Sequence, residues 1–169
     1  LTSFLKSLDM ELVIYEKKLH NSQRAIQLIN KTNQFNLTTR RYSQEQVRMM
    51  SESSEWGTWW FRLKDKFGDH GLIGVILVSK KVDVWHIDSF LMSCRVLGRK
   101  MERSMMSDVI RAAYNENVKT IVSEYIPTAK NSLVDNVYIE LGFKQKEIEN
   151  SFIYHIEPTN DYECGYIRS

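Results

Sequence analysis

Several residue types are scarce in this chain, and each scarcity closes off a class of protein. Two cysteines, Cys94 and Cys164, are too few for a disulfide framework or a cysteine-rich zinc cluster, so no metal site is expected and a reducing cytoplasm is the simplest setting. Two prolines and seven glycines in 169 residues argue against low complexity. No apolar run approaches the roughly 18 residues that would span a bilayer, and the opening LTSFLKSLDMEL lacks the layout of a secretory signal. The net charge of +2 is too small to mark a nucleic-acid surface. Neither nucleic acid nor membrane is therefore expected as a partner, and Asn30-Lys31-Thr32 and Asn36-Leu37-Thr38 match the glycosylation triplet by chance.

What is present is the composition of a soluble globular domain, with 43% hydrophobic and 26% charged residues on a chain long enough for one well-buried core. The first residue is Leu rather than Met, which reads as a piece of a longer polypeptide. Residues 1–9 are taken as a linker from an upstream domain and 10–169 as a single domain.

Local patterns supply the elements. MELVIYE (10–16) has the β-branched and aromatic character of a strand, and Asn21 or Ser22 can cap a helix that starts near Gln23. KTNQFNLTTRRY (31–42) is too rich in Asn and Thr to continue as helix, and Ser43 followed by Glu45 and Gln46 looks like the cap of the next one. From Gly57 three β runs joined by short turns read as an antiparallel meander. In the third run, Trp85, Ile87, Ser89 and Leu91 are expected on one face and His86, Asp88, Phe90 and Met92 on the other. After Gly98, residues Met101, Met105, Val109 and Ala112 follow a helical period, and TIVSEY (120–125) makes the following strand parallel to the third. Asn131 to Leu141 reads as a further helix closed by Gly142, and a last hairpin surrounds Glu149-Asn150.

One junction stands apart. FLMSCRVLGRKMER (90–103) runs from an apolar strand through the single glycine Gly98 into a basic helix, an order that can hold a phosphate by backbone amides, although it also serves as an ordinary helix-start turn.

That order of elements, with Arg95-Val96-Leu97-Gly98-Arg99-Lys100 at the junction and Asn131…Tyr138-Ile139-Glu140-Leu141-Gly142-Phe143 downstream, resembles the GCN5-related N-acetyltransferase (GNAT) superfamily over residues 10 to 157. The family motif asks for Gln or Arg, two residues, Gly, one residue, then Gly or Ala. Arg95 and Gly98 meet its first two requirements, whereas Lys100 stands where a small residue is expected. More narrowly, KTNQFNLTTRRY, the stretch from FRLKDKFGDHGLIG into FLMSCRVLGR, and YIPTAKN (125–131) look like the C-terminal GNAT-like domain of FkbH-like proteins. In those proteins a separate HAD-type domain is associated with loading a glyceryl unit onto an acyl carrier protein. The DxDxT pair of HAD chemistry does not occur in this chain, so that function does not transfer.

The resemblance implies an α/β (α+β) GNAT fold, with a mixed central sheet of about seven strands and about four helices. It implies an acyltransferase that binds acetyl-CoA or another acyl-CoA, or the phosphopantetheine thioester of an acyl carrier protein. The alternative is a non-catalytic domain that docks such a carrier or its arm. Cofactor contacts would come from Leu91, Met92 and Ser93 on the strand, from Arg95, Val96, Leu97, Gly98, Arg99, Lys100 and Met101 round the turn, and from Asn131. The arm would lie between the two parallel strands, held by backbone near Leu91 to Cys94 and Tyr125.

Acyl transfer needs a base, oxyanion donors and an acid for the departing thiolate. Tyr138 takes the family's tyrosine position as the acid, or else belongs to the apolar stripe of Val134, Val137 and Leu141. Glu124, Asp88 and His86 are candidates for the base, or else scaffolding. Asn33, Gln34, Asn36, Thr38, Arg40 and Arg41 are the candidate substrate-binding residues, on a segment that could equally be a polar loop satisfying its own backbone.

Overall fold

The computed structural model describes residues 2–16, 23–157 and 167–168. Five α-helices and eight strands appear among them: α1 (Thr2–Ser7), β1 (Met10–Glu16), α2 (Gln23–Lys31), α3 (Gln44–Glu52), β2 (Trp56–Asp65), β3 (Gly68–Lys80), β4 (Val84–Met92), α4 (Met101–Asn115), β5 (Thr120–Glu124), α5 (Val137–Glu140), β6 (Lys144–Gln145), β7 (Ser151–His155) and β8 (Ile167–Arg168). The expected Asn21 or Ser22 cap and Cys164 lie outside the described residues. Ser43 does cap α3: its hydroxyl accepts the Gln46 amide while the Gln46 side chain accepts the Ser43 amide, a reciprocal pair that satisfies two first-turn donors.

All eight strands form one sheet in the order β6-β7-β5-β4-β3-β2-β1-β8. The meander of β2, β3 and β4 is antiparallel as expected, and β4 pairs with β5 in parallel. Both faces are covered, so the central strands are apolar on both sides. One face carries α4 and the larger core, which includes Met101, Met105, Val109, Phe90 and Tyr138. The other carries α2 and α3, with Leu28, Ile29 and Val47 packed on Trp60, Val75, Leu77 and Leu91. Gly74 lets α4 come close, because a Cβ there would stand 2.4 Å from the Met105 Cε.

Three expectations need correction. Leu5 and Leu8 are 3% exposed and belong to the larger core, so these first residues fold onto the domain instead of leaving it as a linker. The helix expected over 131–141 is a 3-10 turn (Ser132–Val134) followed by the single turn of α5. The alternation in β4 is broken by a bulge: Leu77 faces Ser89 while Val78 faces Ile87, leaving Asp88 as an extra residue. A bulge shifts the side-chain period by one. Trp85 and Ile87 therefore share the α4 face with Phe90 and Met92, and Leu91 joins the opposite core.

Candidate functional site

The bulge at Asp88 marks the place where the two parallel strands part. β4 and β5 pair from Val84↔Thr120 to Ile87↔Ser123, after which β4 continues to Met92 without β5 beside it. The gap is filled by the chain itself. Residues 35–37 enter it as a short antiparallel strand, with Asn36 opposite Leu91. The Leu37 amide donates to the Phe90 carbonyl (3.0 Å) and the Met92 amide to the Phe35 carbonyl (3.0 Å), while on the far side the Ile126 amide donates to the Leu37 carbonyl (2.8 Å). Phe35 and Leu37 alternate with Asn36, as a strand requires. The two apolar side chains enter the α4-face core, where the Phe35 ring meets Phe90 edge-on at 5.5 Å. Asn36 is fully buried; its amide donates to the Thr32 carbonyl and its Oδ1 accepts from the Thr39 amide.

Asn131 staples this insertion. Its Nδ2 donates to the carbonyls of Asn36 (2.9 Å) and Ile126 (3.0 Å), and its Oδ1 accepts from the Thr128 amide (2.7 Å) and the Tyr125 hydroxyl (3.2 Å).

Beyond the insertion the chain returns over β4 and builds a charged cluster at the bulge. Thr38 Oγ1 donates to the Asp88 carbonyl, and Arg40 Nη1 to the same carbonyl and to Asp88 Oδ1. Arg40 Nη2 reaches across the gap to Glu124 on β5. Tyr42 and Ser89 both donate to Asp88 Oδ2 at 2.8 Å. Burial works against the Arg40 charge, but the Glu124 hydrogen bond and the Asp88 charge outweigh it and hold the guanidinium even more firmly protonated. Burial and the bond to Asp88 likewise push the Tyr42 hydroxyl well above its ordinary range. Two of the three candidate bases, Asp88 and Glu124, are thus brought together by Arg40, which sequence reasoning placed in the substrate group. His86 stays outside the cluster, paired through its backbone with Ser79.

Tyr138 lies on the other side of the sheet from this cluster. Its ring is 1% exposed and packs on Phe90, Phe143 and Phe152. Its hydroxyl is buried without a well-formed hydrogen bond. Burial raises its pKa steeply, the neighbouring Ser123 hydroxyl offsets this in part, and the Glu124 charge adds to it.

The strand-to-helix turn is busier than its glycine suggests. The amides of Val96, Leu97 and Arg99 donate to the carbonyls of Ser93, Cys94 and Val96, so three of the seven turn residues from Arg95 to Met101 have their amides spent on the turn's own carbonyls. Gly98 adopts φ +78° with open space where a Cβ would stand, so its role is the left-handed turn itself. Lys100 is also left-handed (φ 57°), exposed, and gives α4 no side-chain cap. Arg99 turns away to pair with Asp65 at 2.6 Å. Val96 and Met101 are core residues, and Arg95 is exposed. Cys94 follows β4 and is exposed.

A cavity of about 510 Å³ opens at the C-terminal end of β4, lined by α2, residues 32–35, Ser93 to Arg95, and Lys130. Asn33 and Gln34 line it, whereas Arg41 is spent on the loop, donating to the carbonyls of Ile29 and Thr32 and to Asn33 Oδ1.

This arrangement has close relatives in shape. The ribosomal-protein-S18-alanine N-acetyltransferase of Escherichia coli superposes with a TM-score of 0.63 at 12% identity, over 89% of this chain and 97% of that one. The chain has the GNAT fold. The spermidine N-acetyltransferase of Vibrio cholerae, solved with CoA and spermine, gives 0.61 at 11% identity over 86% and 95%. Tetrahymena GCN5 gives 0.57 at 12% over 92% and 100%. No protein-family model matches the sequence, and neither does any curated protein.

CoA can be tested against the residues that would hold it. The Met92 amide is given to Phe35, that of Ser93 to the Ile73 carbonyl, and that of Tyr125 to the Asn150 carbonyl. Glu102, in the first turn of α4, is pushed toward protonation by burial and by the charge of Glu140, and turns its carboxylate to its own backbone amide. A phosphate at this helix end would meet a carboxyl group already there. An arm laid between β4 and β5 would have to displace a strand that is hydrogen-bonded on both sides. As arranged, these residues of the GNAT fold do not fit CoA between the strands.

Among the residues now implicated, Tyr42, Lys130 and the α2 cations Arg24 and Lys31 were missed. Arg24 and Lys31 are seven apart, two helical turns on one face, a signal the sequence carried. Nothing local could have singled out Lys130.

Proposed function

We propose that the domain is a GNAT-fold docking module for an acyl carrier protein or its phosphopantetheine arm, and that it does not use acetyl-CoA. The observation that carries this reading is residues 35–37 seated in the gap between β4 and β5, holding the Met92 amide and Phe90 carbonyl. The resemblance of 31–42 and 125–131 to the C-terminal domain of FkbH-like proteins supports a carrier as the partner, because those proteins act around one.

A second reading, acyl transfer, draws support from the Arg40–Asp88–Glu124 cluster. Glu124 is the more open carboxylate, with its side chain 33% exposed against 13% for Asp88, and is the better placed to accept a proton from an acceptor amine. Two structural neighbours are N-acetyltransferases by name.

Calorimetric titration of the intact chain with CoA, acetyl-CoA and a holo carrier protein separates the two. The docking reading expects the carrier to bind and both CoA species to fail at about 1 mM. Acetyl-CoA binding below that concentration, with turnover that falls at least about 100-fold in Glu124→Gln, would replace docking with catalysis.

A further inference from the structure

The cavity at the end of β4 gathers Arg24 and Lys31 of α2, Arg95 of the turn after β4, and Lys130 of the segment after β5, with no carboxylate among the described residues of its lining. Four cations in one cavity exceed the net charge of the whole chain, +2. Six cations elsewhere, Arg40, Arg48, Arg62, Lys80, Arg99 and Arg111, each hold a carboxylate. Among the described residues none of the four cavity cations takes part in an ion pair. Like charges drawn together by separate elements repel one another, and an anion removes that repulsion.

The rest of the lining narrows the kind of anion. Ser93, Asn33 and the Gln side chains offer hydrogen bonds, and Leu28 and Phe35 line it with the little surface their burial leaves, 3% and 4%. About 510 Å³ lies within the range of small-molecule sites, roughly 300–1,000 Å³, and is far more than a lone phosphate needs. We propose that this cavity binds a phosphate ester bearing a short amide-containing chain, phosphopantetheine being the matching chemistry. The inference rests on the docking reading and deepens it, because the arm then lies outside the inserted strand, against Phe35, instead of between β4 and β5. It also moves the phosphate away from the end of α4, where Glu102 stands.

The test is titration of the intact chain with phosphopantetheine, with pantetheine lacking the phosphate, and with inorganic phosphate, repeated on the Arg24→Gln/Lys31→Gln double variant and on Lys130→Gln. Arg24 is half-buried, and Lys31 and Lys130 are exposed, so the variants should melt with the wild type. Phosphopantetheine should bind at least about tenfold more tightly than pantetheine, and the double variant should erase that difference. Equal affinity for the two compounds overturns the proposal, as does a phosphate preference that survives both variants. A holo carrier protein that binds wild type and double variant equally overturns the cavity while leaving the docking reading in place. If phosphopantetheine discriminates as expected but the carrier never binds, the cavity stands and the docking reading falls.

Discussion

Asp65 ends β2 with its side chain fully covered, accepting from Arg99 Nη1 (2.6 Å) and the Phe67 amide, with His70 Nε2 at 2.7 Å. Burial alone would raise its pKa, but Arg99, His70 and the Phe67 amide together draw it below its ordinary 3.8. A carboxyl depressed on folding stabilises the native state above its unfolded pKa, and that contribution is lost as pH falls through the lower native value. Asp65→Asn should therefore cost about 1–2 kcal/mol at pH 7 and flatten the loss of stability below pH 3.8. Urea midpoints at neutral and acid pH measure this, and an identical acid loss in both proteins would clear Asp65 of the role. The contact also explains why Arg99 did not become the phosphate ligand its position suggested. A partner 34 residues away in sequence leaves no mark on local spacing.

The decisive element is among the shortest. Phe35, Asn36 and Leu37 have the apolar-polar-apolar alternation of a strand, but three residues within a run of Asn, Thr and Gln read as loop. The edges they pair with belong to β4 and to the chain after β5, which only folding brings near. If the insertion is permanent, the amides of Leu37 and Met92 should exchange with solvent as slowly as those of central β4, because they open only with the core. Exchange within seconds would mean that the gap opens in the native state. Asn131→Ala leaves the Asn36 and Ile126 carbonyls and the Thr128 amide without this partner. It should destabilise the domain by about 2–4 kcal/mol, read by chemical denaturation, and speed exchange at Leu37 first.

At the scale of the molecule, ligand choice should appear as thermal stability. A ligand at about 100 times its Kd stabilises by about 2.7 kcal/mol, which for a domain of this size raises Tm by roughly 5–10 °C. Phosphopantetheine should do this and acetyl-CoA should leave the melting curve in place; a Tm raised by acetyl-CoA would overturn the reading that the domain does not use it. Much of the scaffold was written locally. β1 from MELVIYE, the Ser43 cap, the meander, the parallel return at Thr120 and the period of α4 follow from patterns shorter than about 20 residues, and hydrophobic burial needs little more than these to choose the sheet. Periodicity and turn signals by themselves determined an antiparallel meander followed by a helix and a parallel return, and the motif order pointed to the GNAT fold. Tertiary structure alone decided what occupies the gap, where the Asp88 bulge turns the strand, that Arg40 joins Asp88 to Glu124, and that four cations share one cavity. Each of these depends on contacts between residues distant in the chain, whose pairing is set by the packed core and not by their spacing in sequence.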